Sequence, residues 1–101
     1  MEPTLKIFDT KNCLTLWLNT IESWEGFEQI ACFIEINCGG KVIDKTDGPD
    51  SRIWLIEINN SIINLKHDDL MGNCICSTNQ NENWIVEQIE KKILKALKEN
   101  N

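Results

Sequence analysis

The sequence predicts an α+β fold, a two-layer sandwich of mainly antiparallel sheet with two helices on one face, in the order β-β-α-β-β-β-β-α. Three observations predict it. First, Arg52 to Lys66 reads as two β-branched-rich runs around Asn59-Asn60, and Asn tolerates the positive φ of tight hairpins. Second, two segments switch to a period of three and four, starting near Ser23 and near Glu82. Third, turn residues divide everything else into short runs, so neighbouring strands are joined antiparallel. A length of 101 residues suits one domain, spanning 1–101. At 42% hydrophobic residues it can build a core.

Leu5 to Phe8 is expected to be a strand, and Asp9 to Asn12 a turn. Cys13 to Leu18 alternates: Leu14, Leu16 and Leu18 face one way, Cys13, Thr15 and Trp17 the other. From Ser23, an expected N-cap, Trp24, Phe27, Ile30, Ala31, Ile34 and Cys38 form a helical stripe, widened by Phe33 and Ile36. Gly39-Gly40 ends that helix. Lys41 to Thr46 is the next strand, and Asp47 to Ser51 a loop.

The hairpin follows. A two-residue turn sets Ile56 against Ile63 and Trp54 against Leu65; a longer turn sets Ile58 against Ile63. Either register puts Trp54, Ile56, Ile58, Ile63 and Leu65 on one side, which the helical stripes cover. His67-Asp68-Asp69 breaks the hairpin, Gly72 to Thr78 is a further strand, and Ser77 to Asn81 a polar loop. The second helix runs from Glu82 to Leu97, capped by Asn81, with Ile85, Val86, Ile89, Ile93, Ala96 and Leu97 as its stripe. Lysines crowd its negative end, and Glu87 is spaced to pair with Lys91.

The net charge of −6 repels phosphate backbones, and Arg52 is the only Arg, so nucleic-acid binding is not expected. No apolar run approaches the ~20 residues that span a bilayer, and the first residues do not read as a signal peptide. Five cysteines without a secretion signal imply reduced thiols and a cytoplasmic location.

No catalytic constellation is legible. Cys74 and Cys76 project to one side of their strand and could join His67 as three metal ligands. A structural zinc site wants four, so no metal or other cofactor is expected, and the pair reads as small inward-packing side chains. His67, the only histidine, reads as a solvated turn residue at a strand end. Asp44, Asp47 and Asp50 lack the alternate spacing of a calcium loop. Gly39-Gly40-Lys41 lacks the rest of a phosphate loop. Trp24 and Trp54 read as core, Trp84 as partly exposed, and Trp17 as part of an open sheet face with Ile53 and Leu55. Asp44, Asp47, Asp50, Glu57, Asp68 and Asp69 would form an acidic lip for a basic protein.

Three segments carry a resemblance: Ser23-Trp24-Glu25-Gly26-Phe27-Glu28, Gly39-Gly40-Lys41-Val42, and Asp47-Gly48-Pro49-Asp50-Ser51-Arg52-Ile53-Trp54. They resemble a small bacterial domain-of-unknown-function family, the one numbered 3630, over about Trp17 to Leu97. That family has an aromatic where this chain has Asp69-Leu70-Met71. The resemblance implies no activity and transfers no catalytic residue. The expected function is a non-enzymatic, acidic protein-binding module, such as an immunity-type inhibitor of a basic partner; a homodimer through the open sheet face is a weaker expectation. The alternative is a thiol or metal site at His67, Cys74 and Cys76.

Overall fold

Alternation within each strand and a period near 3.6 in each helix are satisfied together by one arrangement. A computed structural model of the chain describes residues 2–99. Strands β1 (Thr4–Phe8) and β2 (Leu14–Leu18) precede helix α1 (Trp24–Asn37). Strands β3 (Lys41–Asp47), β4 (Ser51–Ile58), β5 (Ser61–Asp68) and β6 (Gly72–Ser77) follow. A 3-10 turn at Gln80–Glu82 leads into helix α2 (Asn83–Glu99). The element order and the α+β class are those the sequence predicts.

The six strands form one antiparallel sheet in the order β1-β2-β6-β5-β4-β3. After β2 the chain crosses through α1 to the far edge at β3. A meander from β3 to β6 then brings it back beside β2.

The central hairpin takes the shorter turn. Trp54 lies opposite Leu65 and Ile56 opposite Ile63. Asn59 and Asn60 hold φ of 50° and 70°, the left-handed pair that matches strand twist in a two-residue turn. Ile56, Ile63 and Leu65 are fully buried, as are Leu14 and Leu16 of β2 and Ile75 of β6. Phe27, Ile30, Ala31 and Ile34 of α1 and Ile85, Val86, Ile89 and Ile93 of α2 cover that same side. Burying one such aliphatic side chain contributes roughly 1.5–3 kcal/mol, so this layer holds the two halves of the sheet together.

Local signals work at α1. The Ser23 hydroxyl accepts from the Gly26 amide at 2.9 Å, as an N-cap should. Gly39 takes φ +69° after the helix. Gly40 is needed for space: a Cβ there would lie 2.8 Å from Ile34 Cγ2 and 2.9 Å from Ile56 Cγ2. Ile36 departs from expectation and is exposed, because it lies about 200° around the helix from buried Ile34.

The start of α2 also differs. Asn79 caps the 3-10 turn that leads into α2, accepting from the Asn81 amide at 2.9 Å. Asn83 ties α2 to the first hairpin, donating to the Asn12 carbonyl at 2.7 Å and accepting from the Leu14 amide at 2.9 Å. Glu87 reaches Lys6 of β1 at 3.9 Å rather than Lys91. Buried Glu90 is held by the same strand, at 2.7 Å from the Thr4 hydroxyl and 3.5 Å from Lys6 Nζ. Tertiary partners outcompete the intrahelical pair, which is worth only about 0.2–0.5 kcal/mol. Among the described residues no helix is long and apolar enough to cross a membrane.

Candidate functional site

Both helices lie on the Trp54 side, so no described element covers the other face of the sheet. Strand register orders that face in two rows. One row runs Leu5, Trp17, Cys74, Lys66, Ile53, Thr46 from the β1 edge to the β3 edge. Beside it runs Ile7, Thr15, Cys76, Asn64, Leu55, Asp44. The β1 end is apolar, with Leu5 and Ile7 about half exposed, at 51% and 47%. The β3 end is polar. Thr15, Trp17, Ile53, Lys66, Cys74 and Cys76 line a shallow groove of about 300 Å³ on this face. The expected open face with Trp17, Ile53 and Leu55 is therefore present as a surface.

The six acidic residues of the expected lip divide. Asp44 and Glu57 project from the open face, Asp44 opposite Leu55 and Glu57 opposite Lys41. Asp47, Asp50, Asp68 and Asp69 gather at one end of the sheet, where the Asp69 amide donates to the Asp50 carbonyl at 3.2 Å. Several have local partners. The Asp68 carboxylate accepts from the Leu70 and Met71 amides at 2.8 and 3.0 Å and shapes the β5–β6 turn.

Behind that end lies a buried polar cluster that sequence reasoning missed. Arg52, 5% exposed, points to the helix side. Its guanidinium carbon stands 4.5 Å from the Trp24 ring and 4.7 Å from the rings of Phe27 and Trp54. Asp47 receives it as a fork: Nε donates to Oδ1 at 3.2 Å and Nη2 to Oδ2 at 3.3 Å. The Trp54 indole donates to the same Oδ1 at 2.9 Å. The hydrogen bond from Arg52, then that from Trp54, hold the Asp47 carboxyl below the usual carboxylate range. A depressed folded pKa adds stability above the unfolded value of 3.8, lost as pH falls through the folded value. Asp47→Asn is therefore expected to be less stable than the parent near neutrality. The gap should close as pH falls below the unfolded value of 3.8. Urea midpoints across that fall check it, and a gap independent of pH would contradict the pairing.

His67 corrects an expectation. It is not a solvated turn residue but a buried one, 5% exposed, because β5 continues through Asp68 and pairs His67 with Asn73. Its Nδ1 lies 2.7 Å from Asn73 Oδ1 and its Nε2 2.9 Å from Asp69 Oδ1. The ring meets Trp24 edge-on at 5.4 Å. Asn73 Nδ2 donates to the Ile21 and Ser23 carbonyls at 2.9 and 3.0 Å, joining the start of α1 to the sheet. A signal was available: Asn73, a polar residue on a strand of small apolar ones, needs buried partners.

Cys74 and Cys76 share a face as expected, with Sγ atoms 3.7 Å apart. They lie on the open side, whereas His67, in step with Leu65, points to the helices. The three do not converge. Among the described residues no group of three His, Cys, Asp or Glu is placed to hold a metal ion.

Taken together these features define a small α+β domain with one helix-covered and one open sheet face, clamped at one end around a buried arginine. The chain belongs to the family described as a protein of unknown function (DUF3630), which it matches over residues 5–92. The match takes in both rows of the open face and the whole Arg52 cluster, and begins further toward the N-terminus than the three motif segments. No curated protein and no solved structure matches the chain.

Proposed function

We propose that the chain is a non-enzymatic, cytoplasmic protein-binding module that receives a basic partner on its open sheet face. The observation that carries this reading is the row holding Leu5, Trp17 and Ile53, apolar side chains interrupted by Lys66, with no described element of the fold above them. Apolar side chains gathered on an uncovered sheet face mark an interaction site more often than a solvated face. The net charge of −6 selects the sign of the partner. Asp44 and Glu57 border the apolar rows, and Asp50 and Asp68 add negative field from the end of the sheet. Such charges speed and orient association, while the apolar centre supplies affinity. An immunity-type inhibitor of a basic toxin fits this chemistry.

The test is capture from the native cell at low salt. A basic protein should be retained by the parent chain, released by salt, and bound at least ~10-fold more weakly by Asp44→Lys/Glu57→Lys and by Ile53→Asp. Retention of nothing, or retention indifferent to all three changes, overturns the reading. Light scattering that finds a stable dimer burying this face would replace the basic partner with a second copy.

A further inference from the structure

The thiol pair at the floor of the groove has chemistry that docking does not use. Cys74 and Cys76 sit at the centre of the two open-face rows, 3.7 Å apart at sulfur. We propose that they form a binding site for one soft monovalent metal ion of the copper(I) class, held between the two sulfurs.

The number of ligands argues for this class. Zinc sites built by proteins need three or four side chains, and His67 is on the far side of the sheet. Copper(I) is satisfied by two thiolates, and soft sulfur ligands select it. Two metal–sulfur bonds of about 2.3 Å bridge the present gap at a bent angle near ~110°. A swing of either side chain about χ1 opens the pair toward a straighter geometry.

The strand argues against the obvious competitor, a disulfide. Residues two apart on an extended strand have Cα atoms roughly 6.7 Å apart and nearly parallel Cβ directions. A disulfide wants Cβ atoms about 3.5–4.5 Å apart, so closing one would bend β6 out of the sheet. A bridging ion needs no such movement.

The binding step balances without a change of oxidation state: the ion forms two metal–sulfur bonds, the S–H bonds of the pair break, and the protons leave for solvent. The resulting bis-thiolate carries one negative charge, which the Lys66 ammonium, opposite Cys74 in the sheet, offsets at this buried position. Both thiols are buried at the floor of the groove, at 4% and 8% exposure, and the groove is the route by which an ion would reach them.

The test uses the full reduced chain under anaerobic conditions, titrated with copper(I) held by a chromogenic chelator. One equivalent should be withdrawn per chain, with affinity lowered at least ~100-fold in Cys74→Ser and in Cys76→Ser, a larger loss than outer-shell changes cause. A Cys13→Ser/Cys32→Ser/Cys38→Ser variant should bind as the parent does. Alkylation mapped by mass spectrometry gives a second readout on the unmodified chain, since bound ion should protect Cys74 and Cys76 and leave exposed Cys32 reactive. The inference is overturned if the parent withdraws no copper, if the other three cysteines account for the binding, or if alkylation of the pair is unaffected by the ion. Failure here leaves the docking reading untouched, because its variants change neither cysteine.

Discussion

Arg52→Ala is expected to lower folding stability by about 3 kcal/mol, from lost packing against three rings and lost charge-assisted hydrogen bonds. The figure sits at the low end for breaking a buried ion pair. The reason is that the stranded partner, Asp47, is itself 42% exposed and can be hydrated. In a chain of this size such a loss lowers the melting temperature by about 12–24 °C. Arg52→Lys tests the geometry separately. An ammonium keeps the charge but cannot donate to both Asp47 oxygens while lying flat between Trp24 and Trp54, so it should recover less than half of the loss. Urea unfolding followed by tryptophan fluorescence measures both variants, and the slope should match the parent's. Full stability in the alanine variant would mean that the cluster is incidental.

Asn73→Leu is expected to cost about 4 kcal/mol, with each orphaned buried partner worth roughly 1–3 kcal/mol. The Ile21 carbonyl loses its side-chain donor, the Ser23 carbonyl keeps only the Phe27 amide, and His67 Nδ1 loses its acceptor. The branching and heavy-atom count of the side chain are kept, but the two methyls are bulkier than the amide atoms, so part of the loss is overpacking. Asn73→Asp divides the effect. It retains an acceptor toward His67 but aims a carboxylate oxygen at two carbonyls, so it too should destabilise. A stable Asp variant would show that the anchor of α1 contributes nothing. Native-state hydrogen exchange should then locate the damage at the first turn of α1 rather than at the Asn59-Asn60 turn.

Arg52 shows what two of the resembling segments build. Trp24, Phe27 and Glu28 come from the start of α1, and Arg52 and Trp54 from β4. In space they enclose one guanidinium, with Glu28 Oε1 3.8 Å from Arg52 Nη2. The motifs thus seat a helix on a sheet. The resemblance transfers no reaction because the family is one of unknown function.

Legibility in the sequence followed the range of each interaction. The hairpin face, the alternation of Leu14, Leu16 and Leu18, the Ser23 cap and the stop at Gly39 were all readable, because each rests on residues a few positions apart. The cap at Asn79, the turning of Glu87 to Lys6 and the burial of His67 were not readable. Asp68-Asp69 has the composition of a turn, and only the pairing of β5 with β6 draws His67 inside. The acidic lip shows the same limit. Its six residues share a charge, yet register sends Asp44 and Glu57 to the open face and the others to the end of the sheet.

By itself, then, the sequence determined the elements, their order, and which side of each strand is apolar, since periodicity is a property of the local backbone. The tertiary structure alone decided which sides meet. It fixed the register of β6 between β2 and β5, and with it the placement of Cys74 and Cys76 on one face and His67 on the other. A shift of one residue in that register would turn Cys74 and Cys76 to the helix side, beside His67, because side chains alternate with a period of two. No local pattern encodes that choice. The contacts that enforce it, from Asn73 to α1 and from Arg52 to Trp24, join residues far apart in the chain.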